Sequence, residues 1–184
     1  HKRFEHKGPT RVKLLGYAVD ANNQVINTKY HGQREIKFSG ISTENTEITL
    51  SIGGSMDSGK TTTASYLCRG YALAGKKVAF IKLTGTVYTK DADFAADCGA
   101  HYATDFSSLG FPSTYLCSLP ELLNLYQGLL TKVHKKCRPD NIVIEIADGL
   151  LQRETAMLLQ SEKFMRTINN VIYSDSSSTG GLHG

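Results

Sequence analysis

From residue 47 onward the chain alternates two kinds of hydrophobic pattern. Glu47-Ile48-Thr49-Leu50-Ser51-Ile52 puts an apolar side chain at every second position, the period of a strand with one face against a core. Residues 62–74 then read as a helix that is closed by Gly75. Residues 77–82 predict a second strand, residues 91–98 a short helix, and residues 113–117 a short third strand. Ser118-Leu119-Pro120-Glu121 has the form of a capping box with proline in the first turn, and opens an amphipathic helix reaching Lys136. Residues 141–147 are almost wholly apolar and rich in β-branched side chains, the mark of a central strand covered on both faces. A helix over residues 153–166 and a last strand over residues 170–173 follow, and the serine- and glycine-rich residues 174–184 read as loop. Strands alternating with helices predict an α/β fold, a mostly parallel sheet with helices on both faces.

Before residue 47 the pattern differs. Residues 1–10 are a polar, basic lead-in. Residues 11–20, 24–30 and 33–38 suggest three short strands, with Ala21-Asn22-Asn23 as a turn, and residues 39–45 form a polar connector. The expected organisation is a small β appendage over residues 1–45 and a main α/β domain over residues 46–184. The chain starts at His1, which suggests a fragment, and the main domain reads as cut short at its C-terminus.

At 184 residues the chain is long enough for one domain with a real core. It is 40% hydrophobic and 21% charged, as soluble globular proteins are. A net charge of +4 suits a polyanionic small ligand, and no concentrated basic stripe points to nucleic acid. Neither an apolar run of membrane-spanning length nor a signal peptide is visible. Four cysteines (Cys68, Cys98, Cys117 and Cys137) form no C-x-x-C pair, so a reduced, cytoplasmic protein with cysteines in its core is expected.

The chemistry-bearing segment joins the strand at residue 47 to the helix at residue 62. Gly54-Ser55-Met56-Asp57-Ser58-Gly59-Lys60-Thr61, followed by Thr62, fits the phosphate-loop pattern of glycine, four residues, then Gly-Lys-Thr. Gly54 and Gly59 let the backbone turn so that successive N–H groups converge on phosphate oxygens. Lys60 is placed for the outer phosphates and Thr61 for Mg²⁺, while the helix behind them offers its positive end to the same anion. Glu145 and Asp148 sit at or just beyond the end of an apolar strand, on the edge of the sheet where ligands bind. Either carboxylate could hold Mg²⁺ or its waters against β- and γ-phosphates. The plainer reading of Asp148 is a turn cap with Gly149.

The order strand, phosphate loop, helix, strand, with Lys82-Leu83-Thr84-Gly85 at its end, resembles the SIMIBI class of P-loop proteins. The loop is similar to that of MobB-type proteins, as are residues 75–82, which end in lysine. Glu145-Ile146-Ala147-Asp148-Gly149-Leu150-Leu151 resembles a glycine-rich stretch of dethiobiotin synthetases. The resemblance implies that Lys82 contacts substrate or phosphate; on its own it reads equally as a solvated lysine at a strand end. It also implies a homodimer closing over the nucleotide. Ser55 stands where dethiobiotin synthetases carry an acid, so their substrate does not carry over. No guanine-reading Asn/Thr-Lys-x-Asp motif is found, which favours ATP, and a base-reading element is expected in residues 174–184 or outside the chain.

Two functional expectations follow. One is an ATP- and Mg²⁺-dependent enzyme that transfers or hydrolyses the γ-phosphoryl group to activate a small carboxylate-type acceptor, a ligase or kinase, with Lys60 and Lys82 as catalytic residues and Asp105 near the acceptor. The alternative is a nucleotide-dependent switch or adaptor that hydrolyses slowly and acts on a partner protein. Within residues 85–112, a long irregular run, Asp91, Asp93 and Asp105 are further candidates that spacing alone does not rank, while His101 reads rather as a surface histidine.

Overall fold

A computed structural model describes residues 8, 10–32, 36–40 and 46–176. A short helix α1 (Thr28–Gly32) precedes β1 (Glu47–Gly53), α2 (Lys60–Leu73), β2 (Val78–Lys82), α3 (Lys90–Asp97) and β3 (Tyr102–Asp105). A 3-10 turn (Phe106–Leu109), α4 (Leu119–Cys137), β4 (Asn141–Glu145), α5 (Arg153–Leu159), α6 (Glu162–Met165) and β5 (Asn170–Ser174) complete the order. All strand pairs are parallel, in the order β3-β2-β4-β1-β5. This is the α/β architecture that the sequence pattern predicts.

Strand alternation sorts the core into two layers. Val78 and Phe80 of β2 and Val143 of β4 face α2 and α3, packing with Ala64, Cys68 and Ala95. Ile48, Leu50, Ile142 and Ile144 face the other way, onto Leu122, Leu125, Leu129 and Tyr126 of α4 and Phe164 of α6. Each such apolar side chain contributes about 1.5–3 kcal/mol on burial. Tyr126 keeps its hydroxyl satisfied by Thr167 Oγ1 at 2.8 Å, and its ring meets Phe164 edge-on at 5.0 Å. The capping box of α4 forms as expected: Ser118 accepts from the Glu121 N–H, and Glu121 accepts in return from the Ser118 N–H. Cys68, Cys98 and Cys117 are buried, and burial pushes the Cys68 thiol up to about 12.

The register places one polar row across the sheet. Ser51 pairs with Glu145, Glu145 with Lys82, and Lys82 with Asp105. All four are buried and share the α2–α3 side, at the carboxyl ends of their strands.

Several expected elements differ. Residues 113–117 are not a strand: Ser113 makes one antiparallel bridge to Thr86, and Leu116 turns back with a φ of 63°. The third strand is Tyr102–Asp105, an edge strand whose short, mixed composition hides its period. The expected helix over residues 153–166 breaks in two, because the Ser161 hydroxyl accepts from the Phe164 N–H and starts α6 afresh. In the N-terminal region, the described residues before 47 form no strand. Asp20 Oδ1 accepts from the N–H groups of Asn22 and Gln24, and the turn it closes yields only a bridge between Val19 and Val25. Residues 28–32 are helical where extended chain is expected. The described N-terminal residues form no strand for want of packing: Val12 and Leu15 are about nine-tenths exposed, with no surface to lie on. Residues 33–35 of the third expected strand, residues 41–45 of the expected connector, most of the lead-in, and residues 177–184 of the expected loop-like tail lie outside the described residues. The segment at residues 36–40 instead lies on α4, where Asn124 Oδ1 accepts from the Phe38 N–H at 2.9 Å and Phe38 stacks on Tyr126.

Candidate functional site

The turn between β1 and α2 doubles back on itself. Asp57 and Gly59 adopt left-handed φ angles of 61° and 94°, and such turns bring consecutive N–H groups to one side. Gly53 and Gly54 are needed for space. A Cβ on Gly53 would lie 2.2 Å from Ser58 Oγ, and one on Gly54 would lie 2.0 Å from Asp175 Oδ2. The Gly53 requirement falls outside the sequence motif, which begins one residue later.

Lys60, 6% exposed, lies across this turn and donates to the Ser55 carbonyl at 2.5 Å and to Ser58 Oγ at 3.4 Å. Burial lowers its pKa from the ordinary lysine value, opposed by the nearby charges of Glu145, Asp148 and Asp57. A desolvated ammonium held by a carbonyl and a hydroxyl is a site that a polyanion relieves.

Thr61 Oγ1 donates to Glu145 Oε1 at 2.8 Å, tying the first turn of α2 to the end of β4. Glu145 is 2% exposed, and its Oε2 is buried with no hydrogen-bond partner among the described residues. Burial raises its pKa above the ordinary carboxylate range, with the Thr61 bond opposing. Because Thr61 spends its proton on Glu145, its oxygen lone pairs stay available as a hard-cation ligand. An orphaned carboxylate oxygen beside such a hydroxyl fits Mg²⁺ or a water bound to it. Among the described residues no group of three or more His, Cys, Asp or Glu side chains could hold a metal unaided.

Met56 to Thr62, Lys82, Glu145 and Asp148 line one cleft of about 700 Å³. The structure brings Met56 to Thr62, both candidate lysines and both candidate carboxylates onto one cleft, while Gly54 and Ser55 are not among the residues that line it. Ala147 and Asp148 are fixed on its rim: the Ala147 carbonyl accepts from Thr84 Oγ1 and from Thr155 Oγ1, each at 2.8 Å. Gly149 lies against the phosphate loop, where a Cβ would come within 2.5 Å of the Gly54 carbonyl oxygen.

Three candidates go elsewhere, and of these Asp93 is exposed on α3 and off the cleft lining. Asp105 shares the polar row, yet its carboxylate accepts from the N–H and hydroxyl of Ser107 and caps the 3-10 turn. His101 accepts from the Val78 N–H through Nδ1, away from the cleft. Asp91 does enter the cleft, with Tyr88, Lys90 and Phe94, and forms an ion pair with Lys82. Sequence spacing could not single out Asp91, since its meaning depends on α3 folding back over the end of β2.

No protein-family model matches this chain, and no curated protein does. Among solved structures it is similar to the signal recognition particle receptor FtsY of Elizabethkingia anophelis in complex with GDP, with 16% identity and a TM-score of 0.43 over 70% of this chain and 37% of that one. A second structure of that receptor gives 18% identity and a TM-score of 0.45 over 79% and 46%. FtsY of Mycoplasma mycoides gives 16% and 0.44 over 77% and 44%. This chain spans less than half the length of each. None of the three is a dethiobiotin synthetase or a MobB-type protein.

Proposed function

We propose that this chain is a Mg²⁺-dependent nucleoside-triphosphate-binding protein of the P-loop type, working as a nucleotide-dependent switch with slow γ-phosphate hydrolysis. One observation carries the reading: the Thr61–Glu145 hydrogen bond, with its orphaned carboxylate oxygen, stands at the mouth of the loop that Lys60 fills. Lys60 and the loop amides would hold the β- and γ-phosphates. Thr61 and Glu145, with Asp148 on the rim, would hold Mg²⁺. When bound, that ion neutralises charge on the phosphate oxygens.

The switch reading is favoured over an acceptor-activating ligase or kinase by what the other candidates do. Lys82 is engaged by Asp91, and Asp105 is spent as a cap, so neither stands ready for an acceptor. Calorimetry with ATP and GTP, each with and without Mg²⁺, tests the proposal and identifies the base. Binding of one triphosphate that needs Mg²⁺, with turnover that no small carboxylate accelerates, is the expected result. Metal-independent binding, or turnover that requires a small acid, would overturn it.

The contact between Gly149 and the loop gives a separate test. Gly149→Ala puts a methyl group into the Gly54 backbone, so overpacking should cost about 1–3 kcal/mol of stability in urea melts. Nucleotide affinity should fall with it, because the displaced atoms belong to the phosphate loop itself.

A further inference from the structure

We infer that Asp91 is an internal counter-anion for Lys82, which gives up this lysine to the terminal phosphate of a bound nucleoside triphosphate and so frees the start of α3 from the end of β2. This rests on the nucleotide-binding reading above and adds to it the means by which the chain would tell a triphosphate from a diphosphate.

Lys82 is the last residue of β2, in register with Glu145 and on the same side, so its ammonium belongs to the cleft that Lys60 and Thr61 line. Its stem passes over Gly85, where a Cβ would lie 3.2 Å from Lys82 Cε. The Lys82 and Asp91 side chains are only 11% and 16% exposed. An ammonium so poorly hydrated needs an anion, and here it takes the carboxylate of Asp91. Lys82 is near enough to Lys60 to disfavour the Lys60 charge, so an anion held by Lys60 also draws Lys82.

A terminal phosphate carries more negative charge than a carboxylate and more acceptor oxygens, so it is the stronger claimant for Lys82. A diphosphate, one group shorter, would leave the Lys82–Asp91 pair in place. The ligand thus makes different contacts in two states, which is what a population shift requires. What the exchange moves is α3. Asp91 lies in its first turn, next to Lys90, and the exposed Val87 and Tyr88 lead into it. The rest of α3 stays anchored by Ala95 in the core and by Phe94 against Tyr66 of α2.

The test compares affinities for the diphosphate and for a non-hydrolysable triphosphate, in the presence of Mg²⁺, among wild type, Asp91→Asn and Lys82→Met. Asp91→Asn removes the competing anion. It should tighten triphosphate binding about tenfold, roughly the value of one hydrogen bond to a charged group, and leave diphosphate binding unchanged. Lys82→Met should cut the preference for triphosphate about tenfold, leaving what Lys60 and the loop amides supply. Hydrogen exchange at residues 88–94 should be faster with triphosphate than with diphosphate. Equal shifts for both nucleotides in Asp91→Asn, or a preserved preference in Lys82→Met, would overturn the inference while leaving nucleotide binding intact. A wild-type chain that binds neither nucleotide overturns the function reading beneath it. If Asp91→Asn does not fold, the Lys82→Met comparison and the exchange rates decide.

Discussion

Replacing Lys60 by alanine is expected to weaken Mg²⁺–triphosphate binding by at least about 100-fold, the lower part of the 2–5 kcal/mol range for losing one member of a buried charge pair. The fold should survive. Lys60 is buried with its pKa lowered by desolvation, and its hydrogen bonds stay within the loop, so the nucleotide-free chain loses a costly charge along with those bonds. Melting of the nucleotide-free variant should match or exceed wild type, while the upward shift caused by Mg²⁺–triphosphate disappears. Retained affinity in calorimetry would show that phosphates bind elsewhere.

Glu145→Gln has the second large effect, and its sign depends on what is bound. Burial raises the folded pKa of Glu145 from its ordinary value near 4.5. Below that value the carboxyl is neutral in folded and unfolded chains alike, and the stability linked to it is fully present. As pH rises, the unfolded chain releases its proton first, and stability is lost until the folded carboxyl ionises as well. The glutamine variant lacks this loss. Without nucleotide it should melt above wild type at neutral pH, with the difference vanishing near pH 4. With Mg²⁺–triphosphate the order reverses, and hydrolysis should fall about 10- to 100-fold, as when a partner of a metal site is removed. A pH-independent difference in the nucleotide-free melts would contradict the burial of that charge.

The legible part of this molecule is the part where a local rule and the global fold agree. β1 alternates cleanly because one of its faces lies on α4–α6 and the other on α2. The capping box of α4 is local by nature, so Ser118 and Glu121 announce it from four adjacent residues. The phosphate loop is likewise a local conformation with fixed glycine positions, and Glu145 is marked by its place at the end of an apolar strand. What could not be read depends on partners distant in the chain. Tyr102–Asp105 becomes a strand because β2 is beside it, and Ser113 does not because only Thr86 reaches it. Asp105 and Asp91 are equally plausible in sequence. Only the folded chain shows that Ser107 claims the first and Lys82 the second. The N-terminal region has short strand-like runs parted by a turn, and its described residues pair with no strand of the sheet.

The spacing of the polar row Ser51–Glu145–Lys82–Asp105 is measured out by the rungs between neighbouring strands, so slipping β4 by a single rung would aim Ile144 or Ile146 where Glu145 belongs. Building the scaffold and arming the cleft are then the same event. A partly zipped chain has no weakened version of the site, and damage to the ladder should read out as a smaller share of fully competent molecules rather than as a uniformly feebler population.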